Sequence, residues 1–495
     1  MPLPGWPARA VPLVLGVLLA GCAAPAADPA PETPAPAAAP WPATRAVAHF
    51  APAPGLFQGA ARDAAPDPAF PMPVGLERLS PTYAFTPSLG IASDGTILAT
   101  TFDVRASYDL ERTFLLQRTR DGGLSWEDAT PRVGPFSVPP FTSAPIVHVD
   151  PDTDRAFFLA TEALMCSMLA VSDDLGATWI ANPLGCGAPA GFQDDSVLFT
   201  ARPRVLPTTA YGNVVYHCFR HGVFADAGCA TSLDGGLTFG PVRPVFPSLV
   251  PCAGRELDIV PNAVPGQGAG GPEGTAYLVK SHCGRIVVGA SRDGLTWTIS
   301  TVSEEVGSAT HDVRLAVDEA GHAYAFWIGR DGLPYLAVSE DGEAWRPPVM
   351  VAPPGVFAAG WPALAAGADG RIALAYYATG DLEISEASTW DLRIAVVADA
   401  LADRPVLLTA AANPPSDPVF RGECARFGRC GVGEKIDMRI DAEGRPWVAF
   451  VDACNGACAT PDGASNEAAA GALATLREGP RLRGPLEPLP PLADA

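Results

Sequence analysis

The sequence predicts an all-β fold built of repeated four-stranded sheets set around a common axis. Three observations predict it. A motif of the form S-x-D-x-G-x-T-W, fullest at Ser172 to Trp179, recurs five times. A second unit, an apolar strand, a turn resembling D-x-x-G and another apolar strand, recurs seven times. Gly 50 and Pro 53 among 495 residues supply many turns, and helical periodicity is nearly absent beyond the N-terminal stretch.

The strand–turn–strand unit is clearest at Val317 to Trp327 (VDEAGHAYAFW). Ser93 to Phe102, Val149 to Leu159, Ala368 to Tyr377 and Ile440 to Phe450 match it. Two degenerate copies end in Asn213 to Tyr216 and Thr275 to Val279. Each unit reads as the first two strands of a sheet. The shorter motif reads as the corner joining the last two: Asp bonds its own downstream backbone, Gly tolerates positive φ, and Thr-Trp begins the next strand. Its other copies are Thr119 to Trp126, Ser232 to Phe239, Ser291 to Trp297 and Ser339 to Trp345. Successive copies, counted from the aromatic, lie 53, 60, 58 and 48 residues apart, which fits four strands and their loops. Sheets one to five carry the corner, and six and seven lack it. The count is seven four-stranded blades, with six as the alternative.

The corner motif resembles the Asp-box, or BNR repeat, of sialidase-like β-propellers. The resemblance covers residues 80–490 as one propeller domain. It implies that the boxes are structural and lie on the bottom face, and that ligands bind on the top face. Loops between strands two and three, and from blade to blade, belong to that top face. An open ring edge invites aggregation, so a terminal strand is expected to close the ring. Residues 46–79, with Ala46 to Phe57 as the strand, or the segment near Leu482, are the two candidates.

The N-terminus reads as an export signal over residues 1–21. Arg9 precedes an apolar run from Ala10 to Ala20 that ends in Leu19-Ala20-Gly21-Cys22 and looks like a bacterial lipobox. The expectation is a lipoprotein of the bacterial cell envelope, joined to the membrane by a lipid on Cys22. Residues 22–45 are Ala/Pro-rich and read as an extended tether. A net charge of −21 argues against nucleic acid and against a polybasic membrane patch. Lys280 and Lys435 are the only lysines.

Apart from Cys22, ten cysteines remain, and an even number in an exported chain reads as disulfides. Proximity suggests Cys166–Cys186, Cys218–Cys229 and Cys252–Cys283. Cys424, Cys430, Cys454 and Cys458 allow three pairings. All ten map to top loops, where they staple long connections or stiffen a binding rim. No Cys/His spacing matches a zinc site, and no metal or cofactor is expected. Asp150 to Asp154 resembles a calcium loop but lacks its Gly and distal Glu, so a solvated turn is expected.

The starts of the inner strands carry the candidate ligand-binding residues. Asp195, Asp258, Asp312 and Asp437 occupy similar positions, and Arg314 and Arg439 follow two residues after the last two, on the same strand face. Arg255, Glu256, His311, Glu434 and Lys435 sit nearby. Either these charges ring the funnel for a sugar or an acid, or the Asp–Arg pairs bridge adjacent blades.

Retaining sialidases use a Tyr nucleophile. The resemblance adds a Glu partner, an Asp acid/base, three arginines on the substrate carboxylate and an early Arg-Ile-Pro motif. This chain has Phe85-Thr86-Pro87 there, with no Arg, while Arg202-Pro203-Arg204 comes late. Tyr376 and Tyr377 end a strand of blade six. No G-x-S-x-G elbow or HExxH is present. The expectation is therefore a surface-anchored propeller that binds a glycan, a protein or a small anion without turnover. A divergent sialidase-like glycosidase is the alternative.

Overall fold

The computed structural model describes residues 49–52, 84–103, 114–123, 125–133, 136–137, 143–162, 166–186, 193–205, 211–221, 226–247, 267–308, 312–413, 417–423, 435–454, 458, 470–475 and 480–485. Cys22, Cys252, Cys424, Cys430, Arg255, Glu256, Asp258, His311, Glu434 and residues 1–45, where a signal and tether are expected, lie outside them.

Seven antiparallel sheets form the blades of a propeller. Blade one runs Ala84–Ile91, Ile97–Asp103, Phe114–Thr119, Glu127–Asp128, and blade two Ser143–Val149, Ala156–Glu162, Cys166–Ser172, Ile180–Cys186. Blade three is Gln193–Ala201, Val214–His221, Asp226–Ser232, Arg243–Pro244, and blade four Gly268–Gly270, Ala276–His282, Arg285–Ser291, Thr298–Ser303. Blade five is Arg314–Val317, Ala323–Ile328, Pro334–Ser339, Val349–Met350, and blade six Ala358–Ala366, Ile372–Thr379, Thr389–Val397, Val406–Ala411. Blade seven shows Asp437–Ile440, Pro446–Asp452 and Ala470–Thr475 among the described residues.

The apolar core lies between neighbouring blades. Leu98, Val147 and Phe158 fill the seam of blades one and two, and Phe157, Leu169 and Val215 that of two and three. Phe199, Tyr216 and Leu278 fill the next seam. Phe326, Trp327 and Tyr376 belong to a cluster running through blades four to six, and Tyr377 and Phe450 to one joining six and seven. Strand faces that alternate between two neighbours explain why the second strands are apolar at nearly every position.

The five repeated corners share one hydrogen-bond pattern. In the fullest copy, Asp174 Oδ1 accepts from Thr178 N at 2.8 Å and Ser172 Oγ at 2.7 Å, while Oδ2 accepts from Thr178 Oγ1 at 2.6 Å. Asp121, Asp234 and Asp293 repeat it, and Asp341 keeps the bonds from Ser339 and Ala344. Gly176, at φ +86°, gives its N–H to Ser172 Oγ. Trp179 then donates its indole N–H to Ala129 O of blade one, so the corner also binds blade to blade.

Two expectations of ring closure change. His49–Pro52 does not enter blade seven. It lies parallel to Val406–Ala411 as a fifth strand on the outer edge of blade six. Leu482 is buried and bonds Gly444 and Ala368 through its backbone, tying the bottom turns of blades seven and six. Among the described residues no strand passes between blades seven and one. Their seam closes through side chains: Leu89, Ile97 and Ala99 against Trp447, Ala449 and Leu473.

Cys218–Cys229 is a disulfide, as expected, and Cys454–Cys458 is another, one of the pairs that the three possible pairings of the last four cysteines allow. Cys283 is disulfide-bonded, and Cys166 and Cys186 face each other in register. The turn from Asp150 to Asp154 is not merely solvated. Asp150 is fully buried, accepts from Asn213 Nδ2 at 2.9 Å and takes the Tyr211 hydroxyl, both from blade three. Its carboxylate serves the seam of blades two and three, with partners 61 and 63 residues away in the sequence.

Candidate functional site in the central cavity

The inner strands do not run smoothly at their upper ends. Register slips between Phe85 and Ser88, Ser143 and Ile146, Asp194 and Val197, and Gly360 and Ala363. Each slip leaves two residues off the ladder, and three of the four pairs end in Pro (Thr86-Pro87, Ala144-Pro145, Trp361-Pro362), which has no N–H to give. Thr86, Asp195 and Trp361 sit at φ +43°, +49° and +47°. Strain thus recurs at equivalent places in three blades, and Trp361 there packs into the core between blades six and seven.

Below the bulges, the inner strands enclose a cavity of about 350 Å³. Its wall includes Ser88 of blade one, His148 of two, Ser196 and Thr200 of three, and Gln267 beside blade four. Asp312 and Arg314 come from blade five, and Lys435, Asp437 and Arg439 from blade seven. The structure thus brings together Asp312, Arg314, Asp437, Arg439 and Lys435 of the sequence candidates, with Asp195 joined to them through Lys435.

Each is also held structurally. Arg314 donates Nη2 to Asp312 Oδ2 at 2.9 Å and Nε to Pro362 O of blade six at 3.0 Å. Arg439 Nη1 meets Asp437 Oδ1 at 2.5 Å, while Asp437 Oδ2 accepts from Ser88 Oγ at 3.0 Å and Leu89 N at 3.1 Å of blade one. The two alternatives read from the sequence therefore coincide: the pairs bridge blades and line the cavity. Lys435 of blade seven reaches Asp195 of blade three at 3.2 Å, spanning three blades across the funnel.

His148 Nε2 lies 2.9 Å from Thr200 Oγ1. Burial pushes its pKa down to about 4, against the pull of Asp150, with Arg439 lowering it further. It is a neutral donor–acceptor at pH 7. Sequence reasoning missed Thr86, Ser88, His148, Thr200 and Gln267; the recurring X-Pro pair at the inner-strand starts was the available signal.

The tyrosines lie elsewhere. Tyr376 and Tyr377 are fully buried between blades, with hydroxyls on Val351 O and Val451 O. Among the described residues, no Tyr lines the cavity. One cluster on the bottom face has metal-like proximity: His322 Nδ1 lies 2.9 Å from Asp318 and 3.4 Å from Asp369. Asp318 is already saturated there by backbone and Tyr324 donors.

No family model matches the chain, and no curated protein is similar to it. Several solved structures are similar in part. The BP39L lectin of Burkholderia pseudomallei matches at 11% identity and TM-score 0.49, over 79% of this chain and 96% of the lectin. The NanB sialidase of Streptococcus pneumoniae matches at 12% and 0.40, over 80% and 68%. A Dyadobacter fermentans protein of unknown function matches at 16% and 0.41, over 80% and 96%. At these identities the likeness says nothing about the residues of the cavity.

Proposed function

We propose that the protein binds a small polar ligand, a glycan terminus foremost, in the central cavity without turning it over. The observation that carries this is the convergence of three opposite-charge pairs from blades three, five and seven on one cavity beneath strained, bulged strands. Guanidinium and carboxylate groups held this rigidly offer fixed donors and acceptors, so little side-chain ordering is lost on binding. The non-catalytic part is supported by two features. The wall holds no Tyr among the described residues, and Asp312 and Asp437 are both engaged by their own arginines.

The test is Arg314→Ala. It is expected to weaken ligand binding by about tenfold or more, the charge-assisted hydrogen-bond range, while the thermal midpoint stays close to wild type. A glycan array identifies the ligand. Vigorous hydrolysis of a fluorogenic sialoside would overturn the non-catalytic reading in favour of a glycosidase.

We further propose that the protein is an envelope lipoprotein anchored at Cys22. Two features of the sequence support this: the lipobox-like end of the apolar run and the even set of remaining cysteines. Cys22→Ser is expected to move the protein out of membrane fractions or block its processing; unchanged membrane association contradicts the anchor.

A further inference from the structure

Resting on the cavity-binder reading, we infer that the ligand is an uncharged polyhydroxy compound of about one or two sugar rings, and not an acidic sugar or other carboxylate. The first ground is charge. Four cations line the cavity, and each already meets a carboxylate: Arg314 with Asp312 at 2.9 Å, Lys435 with Asp195 at 3.2 Å, Arg439 with Asp437 at 2.5 Å, and Arg483, lower down, with Glu319 at 3.1 Å. A ligand carboxylate at any of them would lie beside a rigidly placed protein carboxylate and set two like charges side by side. A hydroxyl donates and accepts at once, so it can insert beside an Asp–Arg pair without adding charge.

The second ground is independent of the first. Two residues of the wall carry a side-chain oxygen that is shut off from solvent and has no hydrogen-bond partner: Thr86 Oγ1 and Gln267 Oε1. Thr86 is 4% exposed and stands at the strained bulge of blade one. An amide oxygen only accepts. It is completed by an O–H or N–H donor, and an ionised acid offers none at its charged end. Buried groups left in this state are uncommon and costly, and they cluster where a ligand completes them. The third ground is size. A cavity of about 350 Å³ lies at the small end of ligand sites.

The experiment is calorimetric titration of the full chain with neutral methyl glycosides and disaccharides, and in parallel with N-acetylneuraminic acid. A neutral sugar is expected to bind, with affinity changing less than about twofold between about 50 mM and 500 mM salt. Thr86→Val keeps the shape and removes an unpartnered hydroxyl. It is expected to leave the thermal midpoint unchanged or raised while weakening the sugar about fivefold. A merely structural hydroxyl would not move the two readouts in opposite senses. Gln267→Leu is expected to weaken binding similarly. Tighter, salt-sensitive binding of N-acetylneuraminic acid that Arg314→Ala abolishes keeps the cavity as a binding site and overturns the neutral class. If no sugar of either kind binds in a way that Thr86, Gln267 or Arg314 affects, the cavity-binder reading itself fails.

Discussion

Asp318→Ala is expected to cost roughly 3–5 kcal/mol of folding stability, measured by chemical denaturation. Asp318 ends the inner strand of blade five and is 2% exposed. Its Oδ1 accepts from Ala320 N at 3.0 Å and His322 N at 2.9 Å. Its Oδ2 accepts from the Tyr324 hydroxyl at 2.8 Å and from Gly370 N, in the turn of blade six, at 2.9 Å. Alanine leaves the buried Tyr324 hydroxyl and the Gly370 N–H without an acceptor and loosens the seam between blades. Asp318→Asn keeps the size and one oxygen, so its loss should be smaller. A loss below about 1 kcal/mol for the alanine variant would show that the turn re-forms without its carboxylate. The same residue sets a pH dependence. Burial alone raises its pKa, but the donors from Gly370, His322 and Tyr324 outweigh this and hold it below the ordinary range. A depressed carboxylate contributes stability above its unfolded value, near about 3.9, and loses it as pH falls through the folded value. Asp121, Asp174 and Asp293 in the repeated corners, held at about 2, act with the same sign. Stability should therefore be level near neutrality and fall steeply from about pH 4 toward pH 2, less steeply in Asp318→Ala.

Trp447→Ala is the second large effect, roughly 3–5 kcal/mol. Trp447 is 7% exposed and packs against Leu89 and Ile97 across the seam of blades seven and one. Its indole N–H donates to Asp441 Oδ2 at 2.9 Å. Elsewhere the chain itself carries over from blade to blade, whereas this seam joins residues from opposite ends of the ring. Beyond side-chain packing it is tied by Asp437 to Ser88 and Leu89. Truncation should therefore open this seam first. Hydrogen exchange is the measurement: amides of Leu89 to Ile97 and Trp447 to Ala449 should lose protection ahead of those in blades three to five. Uniform loss around the ring would mean that the seam is not the weakest joint.

Much of the fold was legible because its signals are local. A repeated corner needs only Ser, Asp, Gly and Thr at fixed spacing, and each second strand shows its burial as a continuous apolar run such as Ala323 to Ile328. The charged funnel residues were partly legible for the same reason, since Arg314 and Arg439 repeat at one position per blade. What stayed hidden is set by contacts between distant segments. Asp437 with Ser88 joins residues 349 apart, and Lys435 with Asp195 joins residues 240 apart. Nothing near Asp150 announces that its partners are Tyr211 and Asn213. Tyr376 and Tyr377 looked available at a strand end, but adjacent strand residues point to opposite faces, and here both faces are seams.

The added strand on blade six has a direction, and the direction has a mechanical meaning. Inner strands descend from the top face, so the outer strand Val406–Ala411 climbs from the bottom rim, and His49–Pro52 climbs beside it. His49 is thus the lower end of the added strand and Pro52 the upper one. A downward pull on His49 itself acts along the strand axis. It loads the four register pairs, His49 with Val406 through Pro52 with Thr409, together in shear and does not unzip them one at a time. Such a load is borne at the outer edge of blade six, by the added strand and not by the inner strands that line the cavity.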